Sequence, residues 1–143
     1  MRSQSGDIED WLEAGRIVRD VLRKFRNVRP NQQIPNLCER IEHEIVKMGG
    51  KPAFPVNVSI NHIAAHYTSP PGDKARIPSQ AIVKIDVGAN INGAIADAAI
   101  TVCVGKLSKR VKELVKACRE VLDEVIEFVK PGVRIHEISE RIW

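Results

Sequence analysis

Two aspartates, Asp86 and Asp97, are the residues of this chain whose type and spacing most directly suggest chemistry. They lie in two apolar runs separated by Asn92-Gly93, and an Asn-Gly pair between such runs is the strongest short signal of a β-hairpin. If this dipeptide forms the loop, Asp86 lies opposite Ala99. The two aspartates are then diagonal neighbours on one face of the hairpin, with Cα atoms roughly 7–8 Å apart.

Two carboxylates directed at one space repel each other unless they share a proton or a cation. Hard oxygen ligands of this kind suit Mn, Mg, Co or Fe(II), or Zn when histidine joins them. The alternative is a solvated sheet face on which aspartate occurs twice, because Asp is depleted in strands but not excluded from them. The residues beside the pair are Gly and Ala, which leave room around the carboxylates and favour a metal site.

Apolar residues that recur every three or four positions predict helices on both sides of this hairpin. The first helix follows Asp7, the second opens near Pro35 and stops at Gly49-Gly50, the third is capped by Ser108 and ends at Pro131-Gly132, and a fourth starts before Trp143. Short apolar runs with prolines and turn residues fill residues 51–104 and predict strands. This order predicts an α+β fold, an antiparallel hairpin sheet covered by amphipathic helices.

Composition places this chain of 143 residues among soluble proteins of a reducing compartment. Its cysteines, Cys38, Cys103 and Cys118, are odd in number and lack paired spacing, so we expect packing residues rather than disulfide partners. No apolar run approaches the ~20 residues of a membrane span, and the first residues lack the apolar core of a signal peptide. We therefore expect a cytoplasmic protein that does not span a membrane.

Residues 28–41 align without a gap to residues 129–142. Six of the fourteen aligned positions are identical, including a proline and the Glu-Arg-Ile that ends both segments. Both segments could be amphipathic helix starts after a proline turn. The alternative is an internal duplication whose second copy has just begun when the chain ends, which predicts that the chain is incomplete.

Two histidines precede the hairpin. His62 and His66 are four residues apart, so on a helix they would share a face and could clamp a metal ion. No glutamate follows His62 as the zinc-protease signature requires, and polar surface histidines are the more common explanation of this spacing.

Several motifs resemble, in order and spacing, those of type 2 methionine aminopeptidases, especially archaeal ones. They are Gly-Gly-Lys-Pro-Ala-Phe-Pro at residues 49–55, Ala-Ala-His-Tyr-Thr at 64–68, Lys-Ile-Asp-Val-Gly at 84–88 and Gly-Ala-Ile-Ala-Asp at 93–97. The likeness extends from about Ile8 to Trp143. It implies the pita-bread fold, in which two similar αβ halves surround a dinuclear metal site, and it implies removal of the initiator methionine from nascent proteins.

The resemblance also implies roles for individual residues. Asp86 is similar to the bidentate ligand of one metal ion, and Asp97 to the carboxylate that bridges both. His66 is similar to a histidine that contacts the scissile amide and assists catalysis. Phe54 is similar to a wall of the pocket for the methionine side chain. His62 inherits no role, which removes the two-histidine clamp.

By the same resemblance, residues 8–143 are the N-terminal half of a catalytic domain, and residues 1–7 are expected to be a flexible tail. A histidine and two glutamates of the family's second half complete the shell of two divalent ions (Co, Mn, Fe(II) or Zn), so this chain would contribute only part of the ligand set. We expect weak metal binding and no activity of the chain alone. The alternatives are a homodimer assembled through metal and a non-catalytic protein- or ribosome-binding module.

The chain carries a formal net charge of +4, and a basic stripe runs along its first helix. The stripe consists of Arg16, Arg19, Arg23 and Arg26. A solvated helix face is the usual explanation of such a stripe. The functional alternative is a contact with ribosomal RNA, because the family acts on emerging chains.

Overall fold

Helices and strands follow one another along the chain in the order that the sequence predicts. A computed structural model describes residues 7–143. The elements are α1 (Ile8–Phe25), α2 (Ile34–Lys47), β1 (Lys51–Pro52), β2 (Asn57–Ile60), β3 (Ala81–Ile91), β4 (Ala94–Val104), α3 (Lys109–Phe128) and α4 (Ile135–Ile142). The predicted α+β class is therefore confirmed.

The N-terminus of α1 is held by a capping box. The Asp7 carboxylate accepts a hydrogen bond of 2.7 Å from the backbone N–H of Ile8, and the Asp10 carboxylate accepts one of 3.3 Å from the N–H of Asp7. Such side-chain acceptors satisfy N–H groups that have no partner within the helix. The expected tail covers residues 1–7, of which residues 1–6 lie outside the described part of the chain.

The chain divides into two compact units, Met1–Lys106 and Leu107–Trp143. The first contains a four-stranded antiparallel sheet in which β3 is central, with β4 on one side and both β1 and β2 on the other. In the second, α3 and α4 pack against each other.

The β3–β4 hairpin has the register that the Asn-Gly turn predicts. Asp86 pairs with Ala99, and Gly88 pairs with Asp97. The turn residues Asn92 and Gly93 have φ angles of 50° and 96°, as a two-residue hairpin loop requires. The prediction that the two aspartates are diagonal neighbours is confirmed.

Alternation along β3 separates a core face from a polar face. Val83, Ile85 and Val87 are fully buried and belong to one apolar core with α1 and α2. Helix α1 packs across β3 and β4, and α2 packs on α1, β1 and β2. Because Asp86 alternates with these core residues, it lies on the sheet face opposite the two helices.

The prediction that all cysteines are packing residues is right for Cys38 and wrong for the other two. Cys38 is buried, and Cys103 and Cys118 are exposed. Cys103 alternates with core-facing Val102 and so lies on the polar face of β4. Cys118 belongs to the apolar stripe of α3, and none of the residues of that helix is buried.

The two similar segments have the same local structure. Helix α2 begins at Ile34 and α4 at Ile135, which are aligned positions. The aligned residues Asn31 and Gly132 both have positive φ, at 64° and 94°. Each segment therefore turns into its helix through a left-handed residue at the same place. Within residues 7–143, none of the helices is both long and apolar enough to cross a membrane.

Substitution of Gly105, the residue directly after β4, tests how closely the end of the hairpin packs against the backbone of Ser79. The φ of Gly105 is +71°, and a Cβ added there would collide with the carbonyl of Ser79. We expect Gly105→Ala to lower the free energy of unfolding by about 3 kcal/mol, because positive φ and backbone contact both oppose a side chain. The measurement is urea unfolding followed by circular dichroism.

Gly15 provides the matched control, because a Cβ at this position of α1 meets nothing within 4 Å. Gly15→Ala is expected to raise the free energy of unfolding by about 0.5–1 kcal/mol through the better helix propensity of alanine. Equal effects of the two substitutions would contradict the close packing of Gly105.

Candidate metal centre

The side chains of Asp86 and Asp97 meet on the polar face of the hairpin. Asp86 is half-buried on β3, and Asp97 is exposed on β4. Their carboxyl groups are close enough that hydrogen bonding with Asp97 raises the pKa of Asp86. The backbone register alone therefore brings two acidic groups into one space.

The pKa of the Asp86 carboxyl is raised above its ordinary value. Burial is the largest cause, and hydrogen bonding with Asp97 and the negative charge of Asp97 raise it further. Hydrogen bonding from Asn57 and the positive charge of His66 lower it in part. A raised carboxyl pKa means that the negative form is under-stabilised, which a bound cation would correct.

Asn57 of β2 is a member of this site that the sequence analysis did not identify. It pairs with Asp86 across the strands and is only 8% exposed. Its side-chain Oδ1 accepts a hydrogen bond of 2.7 Å from the Thr68 hydroxyl. The alternation of Val56, Asn57 and Val58 was the available signal, since it places the asparagine on the polar face.

His66 lies in the irregular segment between β2 and β3. It is exposed, has a φ of 65°, and lies close enough to Asp86 for its charge to influence that carboxyl. The next residue is fixed to β2, because the N–H of Val58 donates to the Tyr67 carbonyl at 3.0 Å and the N–H of Tyr67 donates to Ser59 Oγ at 3.2 Å. The histidine is thus carried by an anchored loop.

His62 does not share a helical face with His66. Both histidines are exposed, and the segment from residue 61 to residue 68 contains turns and bends instead of a helix. The two-histidine clamp that a helix would create is therefore absent from this segment.

The aromatic ring of Phe54 packs directly against the backbone of Gly88. A Cβ added to Gly88 would be 2.9 Å from both Cδ1 and Cζ of the Phe54 ring, which is closer than real side chains approach. Gly88 is the strand partner of Asp97, so the ring lies beside that aspartate. Glycine is required here because any side chain would displace the aromatic ring.

The segment that carries Phe54 is fixed at both ends. The N–H of Ala53 donates to the Gly88 carbonyl at 3.0 Å, and the N–H of Val56 donates to the Glu42 carboxylate, also at 3.0 Å. The first contact attaches the segment to β3, and the second attaches it to α2. The aromatic ring is held by the sheet and the helix together.

The donor set suits a divalent cation in part. Two adjacent carboxylates are hard oxygen ligands of the kind that such ions prefer. Within residues 7–143, no group of three or more His, Cys, Asp or Glu side chains is arranged to hold a metal ion. Asp86 and Asp97 could therefore supply two oxygen ligands, and a closed site would need more.

Comparison with known proteins gives one consistent result. Residues 9–143 match the family model of metallopeptidase family M24. A methionine aminopeptidase of Methanothermobacter thermautotrophicus is 43% identical over 136 residues, which are 94% of this chain and 46% of the relative. A methionine aminopeptidase of Methanothermus fervidus is 38% identical and is matched over 94% of this chain and 78% of its own length.

A solved structure has a fold very similar to that of this chain. The methionine aminopeptidase from Thermotoga maritima superposes with a TM-score of 0.88 at 33% identity, covering 99% of this chain and 59% of that one. The described residues thus have the fold of the pita-bread metallopeptidases. The chain spans about half the length of the Methanothermobacter relative.

Replacing Asp86 tests the crowding of the two carboxylates. A carboxyl whose pKa is raised on folding destabilises the protein above that pKa, and the penalty is absent below its ordinary value of 3.8. An amide at this position can accept from Asn57 and donate to Asp97. With a chelator present, we expect Asp86→Asn to raise the melting temperature near neutral pH by about 2 °C, a gain kept small because the group is partly solvated, and to have no such effect below pH 3.8.

Asp123→Asn is the matched control, because this aspartate lies on α3 and pairs with Arg119 at 3.1 Å. We expect it to show no gain near neutral pH, and differential scanning fluorimetry across a pH series measures both variants. A melting temperature that falls in Asp86→Asn at every pH would refute the crowding.

Proposed function

The chain belongs to metallopeptidase family M24, and we propose that it forms part of a metal-dependent aminopeptidase that removes N-terminal methionine from new proteins. The names of its relatives support this activity, since those matched at 43% and 38% identity are methionine aminopeptidases. We further assign it to the type 2, archaeal-like group on the motifs at residues 49–55, 64–68, 84–88 and 93–97.

The arrangement around the hairpin is the strongest support for this proposal. Two carboxylates, an aromatic ring and a histidine from three separate segments lie around one sheet face. An aminopeptidase needs ligands for a cation, an apolar contact for the first side chain and a polar group at the scissile amide. Asp86 and Asp97, Phe54 and His66 are of the right types for these three tasks.

Asp86 and Asp97 are proposed to hold the divalent ions, Asp86 as a terminal ligand and Asp97 as a bridging one. When bound, such ions supply Lewis-acid polarisation of the peptide carbonyl. The chain's own contribution is orientation. The Phe54 ring would contact the methionine side chain and thereby place the first peptide bond beside Asp97, while His66 would hydrogen-bond the amide of that bond.

We propose that further ligands come from outside the described residues. Two carboxylates are fewer than a closed site for a catalytic cation needs, and the chain spans 46% of the Methanothermobacter relative. A second half with additional ligands is the source we favour over a metal-assembled homodimer. Accordingly, the chain alone is expected to bind metal weakly and to release no methionine from a Met-Gly peptide.

A ribosome contact through Arg16, Arg19, Arg23 and Arg26 stays a prediction. Arg16 and Arg19 form ion pairs with Glu13 and Asp20, at 2.5 Å and 2.7 Å, which reduces the positive charge of this helix face. The solvated face is the simpler explanation of the stripe.

A chimera tests the proposed activity. In it, this chain replaces the matched segment of the Methanothermobacter enzyme, and methionine release from a Met-Gly peptide is measured with Mn or Co. We expect turnover that falls at least about 100-fold in Asp97→Ala, because loss of a ligand weakens the metal that polarises the carbonyl. The chimera should not release the first residue of a peptide that begins with lysine.

The control is Asp123→Ala, which removes an exposed aspartate of α3 and should retain full turnover. The proposal is refuted if the chimera folds but releases no methionine. It is also refuted if Asp97→Ala leaves the turnover of the chimera unchanged. Methionine release by the unmodified chain alone, lost in Asp97→Ala, would instead refute the need for further ligands.

A further inference from the structure

Asn57 occupies the one position of β2 that touches two parts of the candidate site at once. Its backbone pairs with Asp86 of β3 on one side and forms an isolated bridge with Thr68 on the other. Thr68 is two residues from His66, and its N–H donates to the His66 carbonyl at 3.1 Å. Asn57 therefore connects the strand of the aspartate with the loop of the histidine.

The side chain of Asn57 makes the same connection, in one orientation only. The Thr68 hydroxyl donates to Oδ1 at 2.7 Å. This leaves the Nδ2 amide group to face Asp86, which is the direct cross-strand partner of Asn57. A carboxylate only accepts hydrogen bonds, so it has to face the amide nitrogen and not the amide oxygen.

Burial makes this orientation costly to lose. Asn57 is 8% exposed, and within residues 7–143 no buried side-chain nitrogen or oxygen lacks a hydrogen-bond partner. An amide rotated by half a turn would point its oxygen at the carboxylate and its NH2 group at the threonine. A buried polar group without a partner is unfavourable, which locks the asparagine between its two neighbours.

We infer that Asn57, held on its other side by Thr68, is a positioning residue that fixes the Asp86 carboxylate for metal binding and couples it to the His66 loop. The inference rests on the proposed function, because it assigns Asp86 to the metal. Hydrogen-bonded partners of metal ligands orient them, and their loss commonly weakens metal affinity by about 10–100-fold.

The contact itself is tested without metal, by nuclear magnetic resonance of the full chain. We expect Asp86→Ala to shift the Nδ2 signals of Asn57 and to accelerate their proton exchange with water about 10-fold, because the acceptor is lost. Asp97→Ala should leave these signals in place. Unchanged Asn57 signals in Asp86→Ala would overturn the inference.

The positioning role is tested by adding Mn²⁺ and following the broadening of the Ala99 amide signal, which lies opposite Asp86. The Mn²⁺ concentration for half-maximal broadening should rise about 10-fold in Asn57→Ala, because the Asp86 carboxylate loses the amide that orients it. Thr68→Val should cause a smaller rise, since it removes only the hydrogen bond to Asn57 Oδ1 and leaves the amide beside Asp86.

Ser59→Ala is the matched control. Ser59 lies on the same strand and the same face, is 1% exposed, and anchors the same loop through Tyr67 without being the partner of Asp86. We expect its Mn²⁺ response to equal that of the unmodified chain. Equal Mn²⁺ responses of Asn57→Ala and Ser59→Ala would overturn the positioning role.

The two proposals fail in different ways. If Asn57 responds to Asp86→Ala but the Ala99 signal does not broaden even at saturating Mn²⁺, and the folded chimera releases no methionine, the metal function fails, and with it the positioning role. If the Ala99 signal broadens at the same Mn²⁺ concentration in the unmodified chain, in Asn57→Ala and in Thr68→Val, the metal function stands and only the positioning role is refuted.

Discussion

The structure depends on apolar burial, which holds two mutually repelling carboxylates on one face of the β3–β4 hairpin. Their proximity follows from the register of the hairpin, and the register follows from the buried residues Val83, Ile85 and Val87. A slip by one residue would turn these side chains to the polar face and bring Asp86 into the core. Apolar burial against α1 and α2 thus holds together two groups that would otherwise separate.

Groups from other segments converge on this pair. Asn57 arrives from β2, His66 from the loop that follows, and the Phe54 ring from the turn that is attached to β3 and α2. Each is placed by backbone hydrogen bonds or by a close contact with β3. The sheet therefore acts as a rigid platform that holds these side chains around one face.

Local patterns were sufficient to predict the helices and the hairpin. Asn92-Gly93 specified the register of Asp86 and Asp97, and the periodicity of apolar residues located the helices. The contacts of Asn57 and of Phe54 with β3 were beyond such patterns, because they join residues that are far apart in sequence. The exposure of Cys103 and Cys118 was also missed, since an apolar stripe predicts a face and does not say whether that face is covered.

The central claim is that Asp86 and Asp97 share one divalent cation. A crystal of the chain soaked in Mn²⁺ and measured near the manganese absorption edge tests it most directly. We predict an anomalous difference peak between the two carboxylates, within coordination distance of an oxygen from each. A peak at another site, or carboxylates that point apart in the presence of Mn²⁺, would contradict the claim.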